Sequence, residues 1–447
     1  MDYVAKLVSK SQPFLVPANV RQNPGKILVT ELWFEVPLDY SNPGSRKLKL
    51  FARSAARYER PIVEPAADDK SRQKPYLVYL QGGPGYGNPT PQDSPLSSYM
   101  LDRGYELLLL DYRGVGLSST VSAETLPLIG GPQEQADYLK QFRADNIVRD
   151  CEAIRKYLTK DYPAEKKKWS IFGQSFGGMT SLTYLSFRPE GLRESFITGG
   201  LAALDKGPEE VYPLTYKKVI ERNQAYYKKF PGDVAAVKEV ANKILELGAT
   251  REFLSPGGGP PDNLDQFGIF TRATLNSFEQ DQGWDNAPIY AMLHEPCWIY
   301  GPGIAANWAA ERVGKTLSRY QWLNKDWAGP QSLKEDEPMY FSGEMVYSFY
   351  FDVCGGLKPL KETAQILAEF DKWPPLYDID QLQKNEVPVY AACYEDMYVD
   401  PGTARVTASK IKGIKVFETN VLYHSALRGR SEDVFRELLR LRDDTID

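Results

Sequence analysis

The stretch KWSIFGQSFGGMTSL, residues 168–182, places one serine between glycines where two kinds of pattern meet. Trp169 to Phe172 has the pattern of a short buried strand, and Met179 to Leu185 continues with apolar residues at helical spacing. Small residues two positions before and after Ser175 allow a sharp strand-to-helix turn that holds the hydroxyl out of the sheet. Gly173 to Gly177 therefore fits the pattern of an exposed nucleophilic serine, with an ordinary turn as the alternative.

The composition is that of an ordinary soluble chain with enough apolar residues for a large core. Of 447 residues, 42% are hydrophobic and 25% are charged, and the formal net charge is -5. This balance gives no reason to expect nucleic acid as a partner. The N-terminal segment lacks a secretory pattern, and the chain has no apolar run of about eighteen residues, so we expect a cytoplasmic protein without a membrane partner.

Cysteine and histidine are both scarce. The four cysteines stand far apart, with no Cys-x-x-Cys spacing, at Cys151, Cys297, Cys354 and Cys393. This spacing favours reduced, mostly buried thiols over a zinc site, and leaves a single disulfide as an alternative. An imidazole base has only two candidates, His294 and His424.

Strand patterns on both sides of the serine predict an α/β fold with a mostly parallel sheet covered by helices on both faces. Besides the strand before Ser175, strands are predicted at Ile27 to Val36, Lys47 to Ala55, Pro75 to Gln81, Tyr105 to Tyr112, Ser195 to Leu201, Val387 to Cys393 and Ile414 to Thr419. Glu134 to Leu158 and Ser431 to Leu441 read as amphipathic helices.

A mainly helical insertion interrupts the strand pattern. Tyr212 to Leu247 is strongly helical, Ser255 to Pro261 makes an exposed break, and aromatic residues crowd Trp284 to Phe351. We therefore predict a first core segment at 1–202, a helical cap at 203–373 and a second core segment at 374–447.

The order of residues along the chain supplies a base for Ser175. In an α/β-hydrolase the acid follows the nucleophile in sequence and the histidine comes last. His424 lies in the loop between the last predicted strand and the last helix, so we predict it as the base. His294 lies inside the insertion, where a structural role is favoured and a place at the site entrance is the alternative.

Three carboxylates compete for the role of the acid, in the loop after the strand that ends at Cys393. Asp396 lies closest to the strand end, and its charge would hold the His424 tautomer and stabilise the imidazolium. Asp400 precedes a proline and is expected to cap the next helix, which leaves it as the second choice. Glu395 is expected to be solvated or paired locally.

Two glycine-rich loops follow buried strands. Gln81 to Gly85 stands where one oxyanion-hole amide comes from in such folds, so Gly83 is the predicted first donor and Phe176, after the nucleophile, the second. A tight loop without a chemical role is the alternative. Asp111 to Ser118 lacks the Gly-Lys-Ser signature of a phosphate loop, and a structural brace between Asp111 and Arg113 is the better interpretation.

Taken together, these motifs resemble the proline iminopeptidases, also called prolyl aminopeptidases. The resemblance rests on QGGPG at 81–85, DYRGVGLS at 111–118, GQSFGG at 173–178, the Asp396 loop and His424. It implies an α/β-hydrolase fold and release of an N-terminal residue, preferentially proline, through an acyl-enzyme. It also implies a helical cap that recognises the free amine of a peptide or small amide, with no metal or organic cofactor. Gln81 stands where the family usually has histidine.

An exopeptidase also needs a carboxylate to pair with the ammonium of its substrate. Glu344, between aromatic and apolar residues, matches by order the acidic residue that the resembling family uses near the return from cap to sheet. Glu295 and Glu311 are weaker candidates for a second carboxylate, and a surface or salt-bridge role is the alternative for Glu344. Tyr347 and the aromatic residues at 349–351 are candidates for a pocket wall, although such runs more often form core.

Two alternatives to a prolyl peptidase remain open at the level of sequence. The same frame could serve an esterase, a lactonase or a broader aminopeptidase, because a fold does not fix its substrate. It could also serve a non-catalytic binding protein that keeps the fold.

Overall fold

The computed structural model describes residues 3–17, 26–59, 73–92, 94, 96–246 and 287–444. The predicted break at Ser255 to Pro261 lies outside these described residues.

A single ten-stranded sheet organises the molecule. Its strands are β1 Lys6–Lys10, β2 Phe14–Pro17, β3 Lys26–Pro37, β4 Lys47–Arg57, β5 Tyr76–Leu80, β6 Glu106–Leu110, β7 Trp169–Gln174, β8 Leu192–Thr198, β9 Val389–Tyr394 and β10 Ile414–Thr419. They follow the order β1-β3-β4-β6-β5-β7-β8-β9-β10, with β2 paired to β3. The strands from β6 to β10 in this order pair in parallel, and the first four pair antiparallel, so the predicted mostly parallel sheet is confirmed.

Helices cover both faces of the sheet. Successive residues of the fully buried β5 alternate between two apolar clusters, with Val78 in one and Leu77 in the other. The helices Ala144–Leu158 and Phe176–Phe187 contribute to the first cluster, and the C-terminal helix Ser431–Asp443 contributes to the second. This two-sided burial explains why the central strands read as continuous apolar runs.

The remaining α-helices are short or belong to the insertion. They are Ser97–Met100, Pro132–Leu139, Pro208–Lys229, Asp233–Glu246, Pro288–Leu293, Ala309–Lys315, Tyr350–Val353, Lys361–Glu369, Ile379–Gln383, Pro401–Ser409 and Ala426–Gly429. The described residues between β8 and β9 form helices and loops and contain no strand. The limits of the cap at 203 and 373 stay a prediction.

The structure divides one predicted helix and shifts one predicted strand. Glu134 to Leu158 forms two helices because Arg143 is extended, with φ -84° and ψ 175°, and its buried guanidinium donates to the carbonyl oxygens of Pro296 and Pro374. Strand β8 begins before the predicted Ser195 and ends at Thr198, since Gly199 has φ +56° in the left-handed region.

The brace predicted between Asp111 and Arg113 was wrong in its pairing. Arg113, which is 1% exposed, makes two hydrogen bonds to Asp150, of 2.8 and 2.6 Å. The hydroxyl of Tyr40 donates to the same carboxylate at 2.8 Å. Asp111 instead holds two loops beside the candidate site.

Three further observations concern the chain as a whole. The four cysteines are buried thiols without a disulfide, as predicted. Across the described ranges, no helix combines the length and apolar character needed to cross a bilayer. Within those same ranges, no group of three or more histidine, cysteine, aspartate or glutamate side chains is arranged to hold a metal ion.

Candidate active site

Ser175 lies at the sharp turn between β7 and the helix Phe176–Phe187. Its backbone has φ 56° and ψ -119°, a conformation that a residue with a side chain adopts only under tertiary constraint. A Cβ atom on Gly177 would overlap the carbonyl oxygen of Leu80, and one on Gly173 would overlap that of Gly177. Both glycines are therefore required by close backbone approach, and the predicted turn is what the structure shows.

The structure brings together the three residues predicted as nucleophile, base and acid. His424 Nε2 lies 2.8 Å from Ser175 Oγ, and His424 Nδ1 lies 3.1 Å from Asp396 Oδ2. The Asp396 side chain is nearly buried, whereas His424 is partly accessible. A neutral His424 with its proton on Nδ1 can donate to the carboxylate and accept the serine proton on Nε2.

The loop after β9 fixes the orientation of Asp396 and His424. Asp396 Oδ1 accepts the backbone N–H groups of Tyr398 at 2.8 Å and Val399 at 3.2 Å, which leaves Oδ2 for the imidazole. The ring of Tyr398 stacks on His424 with centroids 4.0 Å apart. Two backbone N–H groups therefore hold the carboxylate, and the carboxylate and the Tyr398 ring hold the imidazole that faces Ser175.

The other two carboxylates of this loop have different partners. Asp400 accepts the Thr403 N–H at 2.8 Å and caps the helix Pro401–Ser409, as its position before a proline predicted. Glu395 pairs with Lys218 of the insertion at 3.1 Å. The geometry thus separates Asp396 from its two competitors.

The glycine loop after β5 lies directly against the serine turn. Strands β5 and β7 are parallel neighbours, so their carboxyl ends meet at one edge of the sheet. Gly82 approaches Gln174, the residue before Ser175, so closely that a Cβ atom there would overlap its side chain. Gly83 has φ +126°, and Phe176 is the first residue of its helix, where N–H groups have no partner within the helix.

Side chains hold this glycine loop in place. Gln81 Nε2 donates to the carbonyl oxygen of Gly87 at 3.4 Å, so the residue that departs from the family pattern still contacts its own loop. The two oxygens of Asp111 accept the N–H groups of Asn88 at 2.7 Å and Leu117 at 2.9 Å. Asp111 therefore ties the loop of Gly83 to the loop that follows β6.

Glu344 extends from the insertion to the neighbourhood of the three residues. The hydroxyl of Tyr290 donates to one of its oxygens, and His294 Nε2 lies 4.0 Å from the other. Burial raises the pKa of Glu344 to about 7, and the charges of His424 and Asp396 act on it in opposite directions. Its side chain remains 23% exposed, so it is accessible to a ligand.

His294 lies beside Glu344 as a buried structural side chain, which agrees with the role favoured by the sequence. Its ring stacks on Tyr290 at 4.8 Å between centroids, and its Nδ1 lies 3.4 Å from the hydroxyl of Tyr212. Burial lowers the pKa of His294 to about 4, so the imidazole is neutral at physiological pH. Tyr290 was not singled out in the sequence, although its spacing of four residues from His294 on a helical pattern could have indicated it.

Glu295 and Glu311 have structural partners and do not meet the prediction of a second substrate carboxylate. The two oxygens of Glu295 accept the N–H groups of Ala309 at 3.1 Å and Ala310 at 2.8 Å, at the start of a helix. Burial raises the pKa of Glu295 to about 8. Glu311 accepts the N–H and the hydroxyl of Ser348 at 2.8 and 2.6 Å. Both carboxylates therefore accept hydrogen bonds from donors within the insertion.

The prediction that Tyr347 lines a substrate pocket was wrong, because this residue is 0% exposed. Its hydroxyl lies 3.2 Å from that of Tyr216, and its ring packs on Phe349 at 5.4 Å between centroids. Tyr350 and Phe351 are buried as well. These aromatic residues form the core of the insertion, so Tyr347 cannot contact a substrate without rearrangement.

A different group of tyrosines faces Glu344. Burial and, second, the charge of Glu344 raise the pKa of Tyr86, Tyr290 and Tyr398. The rings of Tyr86 and Tyr290 are 5.7 Å apart, and Tyr86 is 47% exposed. Aromatic surface next to the carboxylate therefore comes from three separate segments of the chain.

The sheet and the turn that presents Ser175 place the chain in the α/β-hydrolase fold class, and a family model described as alpha/beta hydrolase fold matches residues 75–240. A proline iminopeptidase from Aspergillus aculeatus is 37% identical over an alignment covering 95% of this chain and 96% of its own length. A proline iminopeptidase from Aeromonas sobria is also 37% identical, with coverage of 92% and 96%. The chain belongs to the proline iminopeptidase family.

A solved structure bears the same name at lower similarity. The proline iminopeptidase of Mycobacterium smegmatis aligns with 92% of this chain and 97% of its own at a TM-score of 0.42 and 14% identity.

Proposed function

We propose that this protein is a serine exopeptidase that releases an N-terminal residue, preferentially proline, from peptides or small amides with a free N-terminus. The observation that carries the proposal is a partly accessible carboxylate, Glu344, close enough to Asp396 and His424 for both charges to act on its pKa. The two relatives named proline iminopeptidase support the same activity.

Acylation begins at the hydroxyl of Ser175. Its oxygen attacks the carbonyl carbon of the N-terminal residue while His424 Nε2, 2.8 Å away, accepts the proton. The negative charge that develops on the carbonyl oxygen is stabilised by the backbone N–H groups of Gly83 and Phe176. Asp396 stabilises the imidazolium and does not itself take the proton.

The intermediate then collapses with loss of the leaving amine. The C–N bond breaks, and His424 Nε2 gives its proton to the leaving nitrogen, which leaves the acyl group on Ser175. Water next attacks this ester while His424 takes a proton from it, and Ser175 recovers that proton as the acid departs. Apart from the substrate and water, these steps use only side chains and backbone groups of this chain.

Glu344 supplies the selectivity for a free N-terminus. An ionised carboxylate pairs with the ammonium of the substrate, whereas a blocked terminus would leave a partly buried charge without a partner. The exposed face of Tyr86 offers apolar surface beside that carboxylate. We propose residues 203–373 as the cap that brings Glu344 to the core, and a cytoplasmic location, which the buried thiols support.

Hydrolysis of a proline arylamide, its N-acetylated form and a simple aryl ester tests the proposal. We expect the wild type to cleave the free arylamide and the ester and to reject the acetylated form. Ser175→Ala should abolish both reactions. Glu344→Gln should lower kcat/KM for the arylamide by about 10- to 100-fold, the loss expected of one charge-assisted hydrogen bond, and spare the ester.

Two outcomes would point to the alternatives. Equal cleavage of free and acetylated arylamides would contradict an exopeptidase and favour an esterase or a broader hydrolase. A protein that neither hydrolyses these compounds nor reacts with a fluorophosphonate would favour a non-catalytic binding role.

A further inference from the structure

One helix of the insertion, Pro208–Lys229, contacts the segments that carry Glu344, Asp396 and His424. It contacts the residue immediately before each of them, at Gly343, Glu395 and Tyr423. The helix residues involved are Lys218, Val219 and Arg222. Arg222 lies three residues after Val219 and four after Lys218, and both spacings place side chains on the same side of a helix.

Arg222 contacts both loops of the core at once. Its guanidinium lies 4.0 Å from the centroid of the Tyr423 ring, and its Nη2 donates to the backbone carbonyl of Glu395 at 3.3 Å. Lys218, one turn earlier, binds the Glu395 carboxylate at 3.1 Å. Both cations therefore bind the loop that carries Asp396, and Arg222 also contacts the loop that carries His424.

The same helix holds the segment that leads to Glu344. Asn223 makes a pair of hydrogen bonds with the backbone of Phe341, donating to its carbonyl at 2.9 Å and accepting its N–H at 2.8 Å. The Cα of Gly343 packs so closely on this helix that a Cβ atom there would lie 2.6 Å from Val219 and 3.1 Å from Met397 of the acid loop.

We propose that Arg222 is a positioning residue for Asp396 and His424, and that Asn223 is the corresponding positioning residue for Glu344. The roles of those three residues are taken from the proposed function. The helix thereby fixes the position of Glu344, on the insertion, relative to Asp396 and His424 in the core.

The geometry of the reaction explains why such a brace matters. His424 must stay within hydrogen-bond distance of both Ser175 and Asp396, and its loop and the loop of Asp396 are separate segments whose ends are partly exposed. Misplacement of a reacting group by about 1 Å can cost about 100-fold in rate. A contact that ties the residues before His424 and Asp396 to one rigid helix restricts that motion.

The rate at which a fluorophosphonate labels the full-length protein tests the role of Arg222. In that reaction Ser175 Oγ forms a bond to phosphorus, fluoride leaves, and His424 takes the serine proton, so the rate depends on the core residues and needs no substrate amine. We expect Arg222→Ala to lower the labelling rate by about tenfold. Arg222→Lys keeps a cation over Tyr423 and should recover part of the rate.

The ratio of arylamide to ester kcat/KM distinguishes the role of Arg222 from that of Asn223. Arg222→Ala should lower both reactions alike and leave this ratio unchanged, because it acts on groups that both reactions use. Asn223→Ala should raise KM for the proline arylamide and lower the ratio about tenfold, with a labelling rate near that of the wild type. Asn223→Asp, which keeps the acceptor for the Phe341 N–H, provides a second variant.

Arg312→Ala is the matched control, since Arg312 binds Glu209 of the same helix on the surface, away from both loops. It should leave labelling and both reactions unchanged. A wild-type labelling rate in Arg222→Ala, or an equal loss in Arg312→Ala, would overturn the inference. A wild type that reacts with the fluorophosphonate but ignores proline arylamides would refute the proposed function, while the labelling rates would still decide the role of Arg222.

Discussion

Acidification should weaken the use of a free-amine substrate more than the hydrolysis of an ester without an amine. Burial raises the pKa of Glu344 from 4.5 to about 7, so this carboxyl loses its charge as the pH falls through neutrality. Below that pH it carries a proton and loses the charge that pairs with an ammonium. Both reactions use His424 Nε2 as the base, so any effect on that step cancels in the ratio of the two reactions.

The size of the effect follows from the titration of one group. One pH unit below the pKa of Glu344, about one tenth of the molecules hold an ionised carboxylate. The carboxylate is about half ionised at its pKa, so the ratio of arylamide to ester kcat/KM should fall about fivefold between about pH 7 and about pH 6, and by about tenfold for each further pH unit below that. The α-amine of the substrate stays protonated over this range, since its ordinary pKa is about 8.

The assay measures kcat/KM for the proline arylamide and for the aryl ester at each pH and compares their ratio. In Glu344→Gln the ratio should start low and stay flat, because no proton can be taken up at that position. A ratio that does not change with pH in the wild type, or a slope that persists in Glu344→Gln, would refute the assignment of Glu344 as the titrating carboxylate.

Three other substitutions test the acid, the serine turn and the buried ion pair. Asp396→Asn should lower kcat by about four orders of magnitude because the histidine tautomer is lost, whereas Asp400→Asn should retain most of the wild-type kcat. Equal losses of kcat in steady-state assays would contradict the choice of Asp396. Gly177→Ala should lower the melting temperature and abolish labelling, since its Cβ overlaps the carbonyl group of Leu80 at the end of β5, whereas Gly232→Ala, with open space around it, should change neither. Arg113→Met leaves Asp150 buried without its cationic partner and should lower the free energy of unfolding by about 3–5 kcal/mol in denaturant. Lys361→Met, at an exposed ion pair, should lower it by less than about 1 kcal/mol, and similar losses in the two variants would show that burial does not set the difference.

Much of the core architecture could be predicted from local patterns. Strands such as β5 and β7 read as short apolar runs because both faces of a parallel sheet are buried, and the helix after β7 has apolar residues at helical spacing. Errors came where a tertiary contact decided the backbone. Arg143 interrupts a predicted helix because its extended conformation lets the guanidinium reach carbonyl groups that are distant in sequence.

Inside the insertion the sequence was less informative. Glu295, Glu311 and Glu344 all stand in aromatic or apolar surroundings, and nothing local shows which one faces the core. The structure separates them by their partners: two accept backbone N–H groups of the cap, and Glu344 accepts a tyrosine hydroxyl and stays 23% exposed. Tyr347 was misassigned for the same reason, because an aromatic residue in a core and one in a pocket wall have the same local pattern.

The sequence by itself determined the turn at Ser175 and the order of serine, acid and histidine, because the glycines at the turn and the succession of strands are local properties of the chain. Only the tertiary structure decided which carboxylate meets His424, which carboxylate of the insertion lies near the core, and which helix contacts the segments that carry these two groups. Those outcomes depend on contacts between separate segments of the chain, such as Asp396 with His424 and Arg222 with Tyr423, and such contacts leave no periodic signal in the sequence.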